Sequence, residues 1–255
     1  MMGWNDILKL PASTLAGERS IYKTQVVTQG NLTKTEEKKL AGVAKLTLFA
    51  SLQKSNTYML PVKNDDYDIE AIIVLHCELK SGAHPSEIAA LLHKVFPNPT
   101  VILFDDTAGR MGISAAIKRK SRAEHGAVVV ETVQGSGLFR PESSGYDAFL
   151  AQLSYDQLPQ TDLLGYMDAL SNRVMLSKTI PTLGFYPRCK EAAAETFSVL
   201  VKQLESLKSR IGVLQTQRKD KETTLAESTK IRMQIKQEQQ LLDQISKQVK
   251  ELCHE

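Results

Sequence analysis

The residues Glu78-Leu79-Lys80 are the sharpest hint of chemistry in this chain. Nucleases of the restriction-endonuclease type carry E-x-K on one strand face, with an Asp earlier in the sequence. The carboxylates hold Mg²⁺, and the lysine stabilises or activates the attacking water. Here residues 69–80 alternate with a period of two, which puts Glu78 and Lys80 on one face, and Asp66 or Asp68 precedes them. The pattern permits a Mg²⁺-dependent nuclease. Against it, no Pro-Asp precedes the acidic cluster, and the three consecutive strands that normally come before the next helix are not evident. A solvated strand end accounts for the same residues.

A second chemistry is phosphate contact. Lys118, Arg119, Lys120 and Arg122 form the densest basic cluster and fall between two expected strands. Such a loop could add salt-sensitive contacts to nucleic acid. The lack of interleaved aromatics fits an ordinary exposed loop equally well. His76 reads as a satisfied side chain on a half-buried strand, and His84, His93 and His125 have no spacing that would gather them round a metal. Cys77, Cys189 and Cys253 form no C-x-x-C pattern and read as buried or idle thiols. No metal site is expected, and Mg²⁺ enters as a cofactor only under the nuclease reading. Gly135-Ser136-Gly137 lacks the Lys-Ser/Thr of a P-loop, which argues against a nucleotide hydrolase of that class.

The elements that would position these residues follow from the hydrophobic pattern. Thr33 with Glu36 and Glu37 caps an expected helix of about five turns running to Lys54. A strand over 69–80 follows, then a short helix from Ser86 ended by Pro97, and three more strands over 100–104, 111–118 and 127–133. The stretch Trp4 to Gly30 follows neither period and is expected to be irregular packing segments. The sum is an α+β chain: a mixed β-sheet with packed helices over residues 1–140, a helical linker region over 141–190, and an α-helical coiled coil or helical hairpin over 191–255. Hydrophobic content of 42% and charged content of 24% exclude wholesale disorder, and no apolar run is long enough for a membrane span. The N-terminus lacks a signal-peptide pattern, so a cytoplasmic address is expected. A net charge of +3 is too small to identify a nucleic-acid binder.

The last quarter carries the strongest periodicity. Phe197, Leu200, Leu204, Leu207, Ile211 and Leu214 step by three and four. Ile231, Ile235, Leu242, Ile245, Val249 and Leu252 keep the same rhythm, with Glu238 intruding. Residues 215–224 between them are polar. Either the two seams fold back on each other, or one helix of about 60 residues, roughly 90 Å, pairs with another subunit. The lack of Gly and Pro in the gap speaks against the hairpin, and the register break speaks against the continuous helix. In both cases the apolar stripe needs a helical partner, in cis or in trans.

Several stretches resemble a bacterial family that carries only a domain-of-unknown-function label. They are Leu10-Pro11-Ala12-Ser13-Thr14-Leu15, the segment Lys34 to Leu48, the strand ending Glu78-Leu79-Lys80, the Phe96-Pro97-Asn98-Pro99 turn into Thr100 to Phe104, and the heptads around Thr224 to Ile245. The resemblance covers most of the chain. It implies an accessory role beside DNA methyltransferases and superfamily-two helicases of restriction or phage-defence clusters, and it supplies no catalytic residues. The expected function is a non-catalytic scaffolding subunit of such a DNA-processing complex. Its arm would dock protein partners, plausibly the helicase or methyltransferase, or a second copy of the chain. The alternatives are the E-x-K nuclease and a free-standing DNA-binding module.

Overall fold

The computed structural model describes residues 3–122, 127–188, 194–219 and 224–254. The chain divides into two compact units, residues 1–178 and 179–255. Both belong to a mixed α+β architecture, with the strands in the first unit and a helical region at the C-terminal end.

In the first unit, β1 (Leu15–Ser20), β2 (Val43–Gln53), β5 (Ala71–Leu79), β6 (Thr100–Asp106), β7 (Met111–Lys120) and β8 (Val128–Gly135) form one sheet in that order. Every neighbouring pair is antiparallel except β5 and β6. A parallel pair needs a crossover, and α5 (Pro85–Val95) supplies it, with a proline in its first turn. A small hairpin, β3 (Val62–Lys63) with β4 (Asp68–Ile69), is inserted between β2 and β5.

The strand order corrects one expectation. The helix foreseen from Thr33 to Lys54 stops early. Thr33 does cap α3 (Lys34–Leu40), accepting the Glu36 N–H at 3.3 Å while Glu36 accepts the Thr33 N–H at 2.9 Å. The chain then turns at Gly42, where a Cβ would lie 3.0 Å from that of Ala83, and runs on as β2. Val43, Thr47 and Phe49 favour an extended backbone, and the run pairs along its whole length with β5. The first stretch is likewise regular where irregular segments were expected: α1 (Trp4–Leu8), β1 and α2 (Lys23–Gly30). With β1 and β2 in place, three strands do precede the crossover helix, the feature whose absence had counted against the nuclease reading.

One face of the sheet packs on α2, α3 and α5, burying Val26, Leu40, Leu75, Cys77, Leu79, Ile88, Leu92, Ile102 and Phe104. The other face takes α7 (Leu163–Ser177) across β7, β8 and β5. Phe149 of α6 (Tyr146–Gln152), Leu163, Met167, Leu170 and Val174 are buried. Residues 141–178 are therefore part of the sheet unit, and the separate linker over 141–190 and the boundary at 140 do not hold.

The second unit begins with α8 (Ile180–Leu183) and is dominated by α9 (Ala194–Arg218) and α10 (Leu225–His254), which pack together as a hairpin. Lys208 of α9 donates to the Thr182 carbonyl, and Arg210 meets Glu238 across the hairpin at 2.9 Å. Phe197, Leu204, Leu207, Ile211, Ile235, Ile245 and Val249 are buried, and Leu200, Leu214, Ile231, Leu242 and Leu252 are half-buried. Val201 and Cys253 join the buried set, which the heptad reading left out. The second helix starts without Gly or Pro because Thr224 and Glu227 form a reciprocal cap. Thr224 Oγ1 accepts the Glu227 N–H at 3.4 Å, and Glu227 accepts the Thr224 N–H at 2.9 Å.

Candidate functional site

The parallel strands β5 and β6 end side by side, and their register sets Glu78 opposite Asp105. Laterally paired residues point to the same face, so two carboxylates stand together at the carboxyl end of the pair. Antiparallel β2 brings Lys45 opposite Glu78, at 3.8 Å between ammonium and carboxylate. Two residues back on β5, His76 lies on that face too, and its Nε2 is 2.6 Å from Asp105 Oδ2. The Trp4 indole N–H donates to the other oxygen, Oδ1, at 3.2 Å. A carboxylate accepts, so the imidazole is the donor in this contact, through Nε2–H.

Beside them, Asp106 is fastened into the β6–β7 turn. It accepts the Ala108 and Arg110 backbone N–H groups at 2.9 and 2.8 Å, and its carboxylate pairs with the Arg110 guanidinium at 2.6 Å. Burial works against its charge, but the Arg110 backbone and side chain and the Ala108 N–H hold its pKa below the usual range. Trp4, His76, Glu78, Asp105, Asp106 and Arg110 line a cavity of about 500 Å³. Gly109 and Pro141 also line a larger neighbouring cavity of about 1080 Å³, floored by Ile7 and Leu150.

The predicted nuclease set is only partly assembled here. Glu78 is in the cleft, but Lys80 lies beyond the end of β5, exposed and outside the cavity lining, with its backbone N–H on the Gly42 carbonyl at 2.8 Å. Burial and then the charge of Lys80 lower the pKa of Lys23 on α2, which covers the opposite face. Asp66 and Asp68 precede the start of β5, and Glu78 lies near its far end, roughly 23 Å along the strand from Ala71. Ahead of β5, Asp66 accepts from Arg122 at 2.9 Å, and Asp68 pairs with Lys63 at 3.6 Å. These residues do not fit a shared Mg²⁺. Asp105, the carboxylate that does reach Glu78, is held by His76 and Trp4, and among the described residues no three His, Cys, Asp or Glu side chains are grouped to hold a metal ion.

The basic cluster is not a free loop either. Lys118, Arg119 and Lys120 belong to β7. Lys118 is buried, donating to the Phe96 carbonyl and, at 3.1 Å, to Thr100 Oγ1, and burial lowers its pKa to about 7. Arg119 faces Glu131 at 3.6 Å, Lys120 donates to the Asn64 carbonyl at 2.6 Å, and Arg122 takes Asp66. Lys120 and Arg122 thus tie the β3–β4 insertion to β7.

His93 is fully buried, with Nε2 at 2.9 Å from Ser114 Oγ and Nδ1 without a partner among the described residues. Burial, then repulsion from Lys118, lowers its pKa to about 3. His84 stands at the N-terminal boundary of α5 without a side-chain capping hydrogen bond, Cys77 and Cys253 are buried, and His125 and Cys189 lie outside the described residues. Sequence reading missed Asp105, Lys45 and Trp4. The one signal for Asp105 in the sequence is its place at the end of the apolar run over 100–104.

Residues 8–242 match the model of a family described as a domain of unknown function, DUF4391, and the chain belongs to that family. No curated protein and no solved structure matches the chain. No helix among the described residues is long and apolar enough to cross a membrane.

Proposed function

We propose that this DUF4391 protein is a non-catalytic accessory subunit of a DNA-processing complex of the restriction or phage-defence kind. One observation carries the reading. Three antiparallel strands, a crossover helix and a parallel strand bring Glu78 to a strand end on a cleft, while the other members of the expected catalytic set serve elsewhere. Asp66 and Asp68 form ion pairs at the far end of the sheet, and Lys80 stands outside the cleft. A metal-dependent nuclease needs its carboxylates within a few ångströms of one ion. The resemblance to proteins encoded beside methyltransferases and helicases supports the same reading.

The test is affinity purification from the native host, with the purified chain assayed on duplex and single-stranded DNA in Mg²⁺. A helicase or methyltransferase is expected to co-elute, and the chain alone leaves DNA intact. Mg²⁺-dependent cleavage by the purified chain that disappears in Glu78→Ala would overturn the reading in favour of the nuclease.

A further inference from the structure

We propose that the cleft floored by Ile7 and Leu150 is a docking groove for a basic, amphipathic segment of a protein partner. The inference rests on the accessory-subunit reading and gives it a surface. At about 1080 Å³ the cleft lies at the upper end of the range for small-molecule sites, which leaves room for several side chains of a bound segment. Its floor is apolar, and Ala151 and Pro141 extend that surface towards solvent.

Charge decides the occupant. The lining carries four carboxylates, Asp6, Glu142, Asp147 and Asp156, against two cations, Lys9 and Arg140, for a local balance of −2 in a chain of net charge +3. Arg140 is engaged with Glu142 at 3.8 Å, whereas Asp147, in the first turn of α6, has no cationic partner among the described residues. The adjoining smaller cavity adds Glu78, Asp105 and Asp106 against Arg110, which pairs with Asp106, so this end of the sheet stays acidic on balance. A phosphate backbone would be repelled by this end of the sheet, while lysine or arginine flanking large apolar side chains would find both an acidic rim and a dry floor. The heptad arm is not needed for this docking, because its seam is already covered by its own second helix.

The test uses the full-length chain and a fluorescent, helix-forming peptide of leucine and lysine carrying a benzophenone, with leucine–glutamate and serine–lysine peptides as comparisons. The leucine–lysine peptide should bind at least about tenfold more tightly than either. The variant Asp147→Lys with Ala151→Arg, two exposed positions one turn apart on α6, should weaken it by about tenfold or more. Photo-crosslinks to the wild-type chain should map to residues 6–9 or 140–157, whether or not the variant folds. Equal binding of the three peptides, undiminished binding by a folded variant, or crosslinks confined to the arm would overturn the proposal. Repeating the native-host purification with the variant separates the two readings. A helicase or methyltransferase retained by both forms sinks the groove and leaves the accessory role standing, while its absence from the wild-type eluate sinks the accessory role and leaves the groove to the peptide data.

Discussion

The two ends of the β5–β6 pair hold similar residue types and use them differently. At the carboxyl end, Glu78, Asp105 and His76 line an open cavity, and Lys45 pairs with Glu78 beside it. At the other end, Asp66, Asp68, Lys118, Lys120 and Arg122 are tied to one another, to Lys63 or to backbone carbonyls. Both ends hold paired charges, but those at the far end are committed to the fold alone, whereas the pairs at the carboxyl end also border a cavity that a ligand can enter. Composition does not distinguish the two cases; strand register does.

The largest expected effect lies in the committed set and appears as a dependence of stability on pH. Lys118 has a pKa near 7 in the fold and would return to about 10.5 on unfolding, so the unfolded chain holds more protons between those values. The penalty is fully present below pH 7 and is lifted as pH rises towards 10. Chemical denaturation should therefore show stability increasing over that window by on the order of a few kcal/mol, and Lys118→Met should flatten the rise. His93, held near 3 against an ordinary 6.5, acts in the acid range. Its contribution is intact above pH 6.5 and is lost as pH falls towards 3, a loss that His93→Gln should reduce. If Lys118 were a surface phosphate contact, its substitution would leave both slopes unchanged and alter only DNA affinity.

The open end should respond less in stability and more in spectroscopy. Asp105→Asn keeps the shape but removes the charge that His76 and Trp4 share. The group is partly exposed, so a cost of about 1 kcal/mol is expected. A neutral amide oxygen would also hold the imidazole tautomer less firmly. Nitrogen chemical shifts of His76 should show this as a mixed Nδ1–H and Nε2–H population, where the wild type shows Nε2–H. Unchanged shifts would mean that Asp105 does not orient His76.

Much of this fold was legible from local period. The alternation over 69–80, the proline-bounded helix after it, the three following strands and the heptads of the arm all appear where the sequence puts them. The failure at 43–53 has a physical reason. Leu40, Val43, Ala44, Leu46 and Leu48 satisfy a loose helical stripe, and only pairing with β5 makes the extended form the better one. The site was legible by one residue, Glu78. Its neighbours Lys45 and Asp105 lie 33 positions before it and 27 after, joined by pairings that no local pattern encodes. Asp66 looked like a partner because it is close in sequence, and the extended run of β5 from Ala71 to Glu78 carries the chain away from it. The arm's fold-back was one of the two readings the heptads allowed, and the sign that spoke against it has a reason: a Thr-x-x-Glu cap at 224–227 restarts the helix without the glycine or proline that usually marks a turn.

The smallest effect sharpens the same comparison from the far end. Arg122 and Asp66 are exposed by 81% and 50%, so their 2.9 Å contact is surrounded by water and contributes little to stability. Arg122→Ala should leave the melting temperature within error of the wild type. The informative readout is hydrogen exchange at the Lys120 N–H, which donates to the Asp66 carbonyl at 2.8 Å. If the ion pair only decorates the clamp, that amide stays protected in Arg122→Ala and opens in Lys120→Ala, where the ammonium contact to Asn64 is lost as well. DNA affinity that falls in Arg122→Ala with a shallower salt dependence would instead return this end of the sheet to nucleic acid, because each phosphate contact removed lowers that slope by about one.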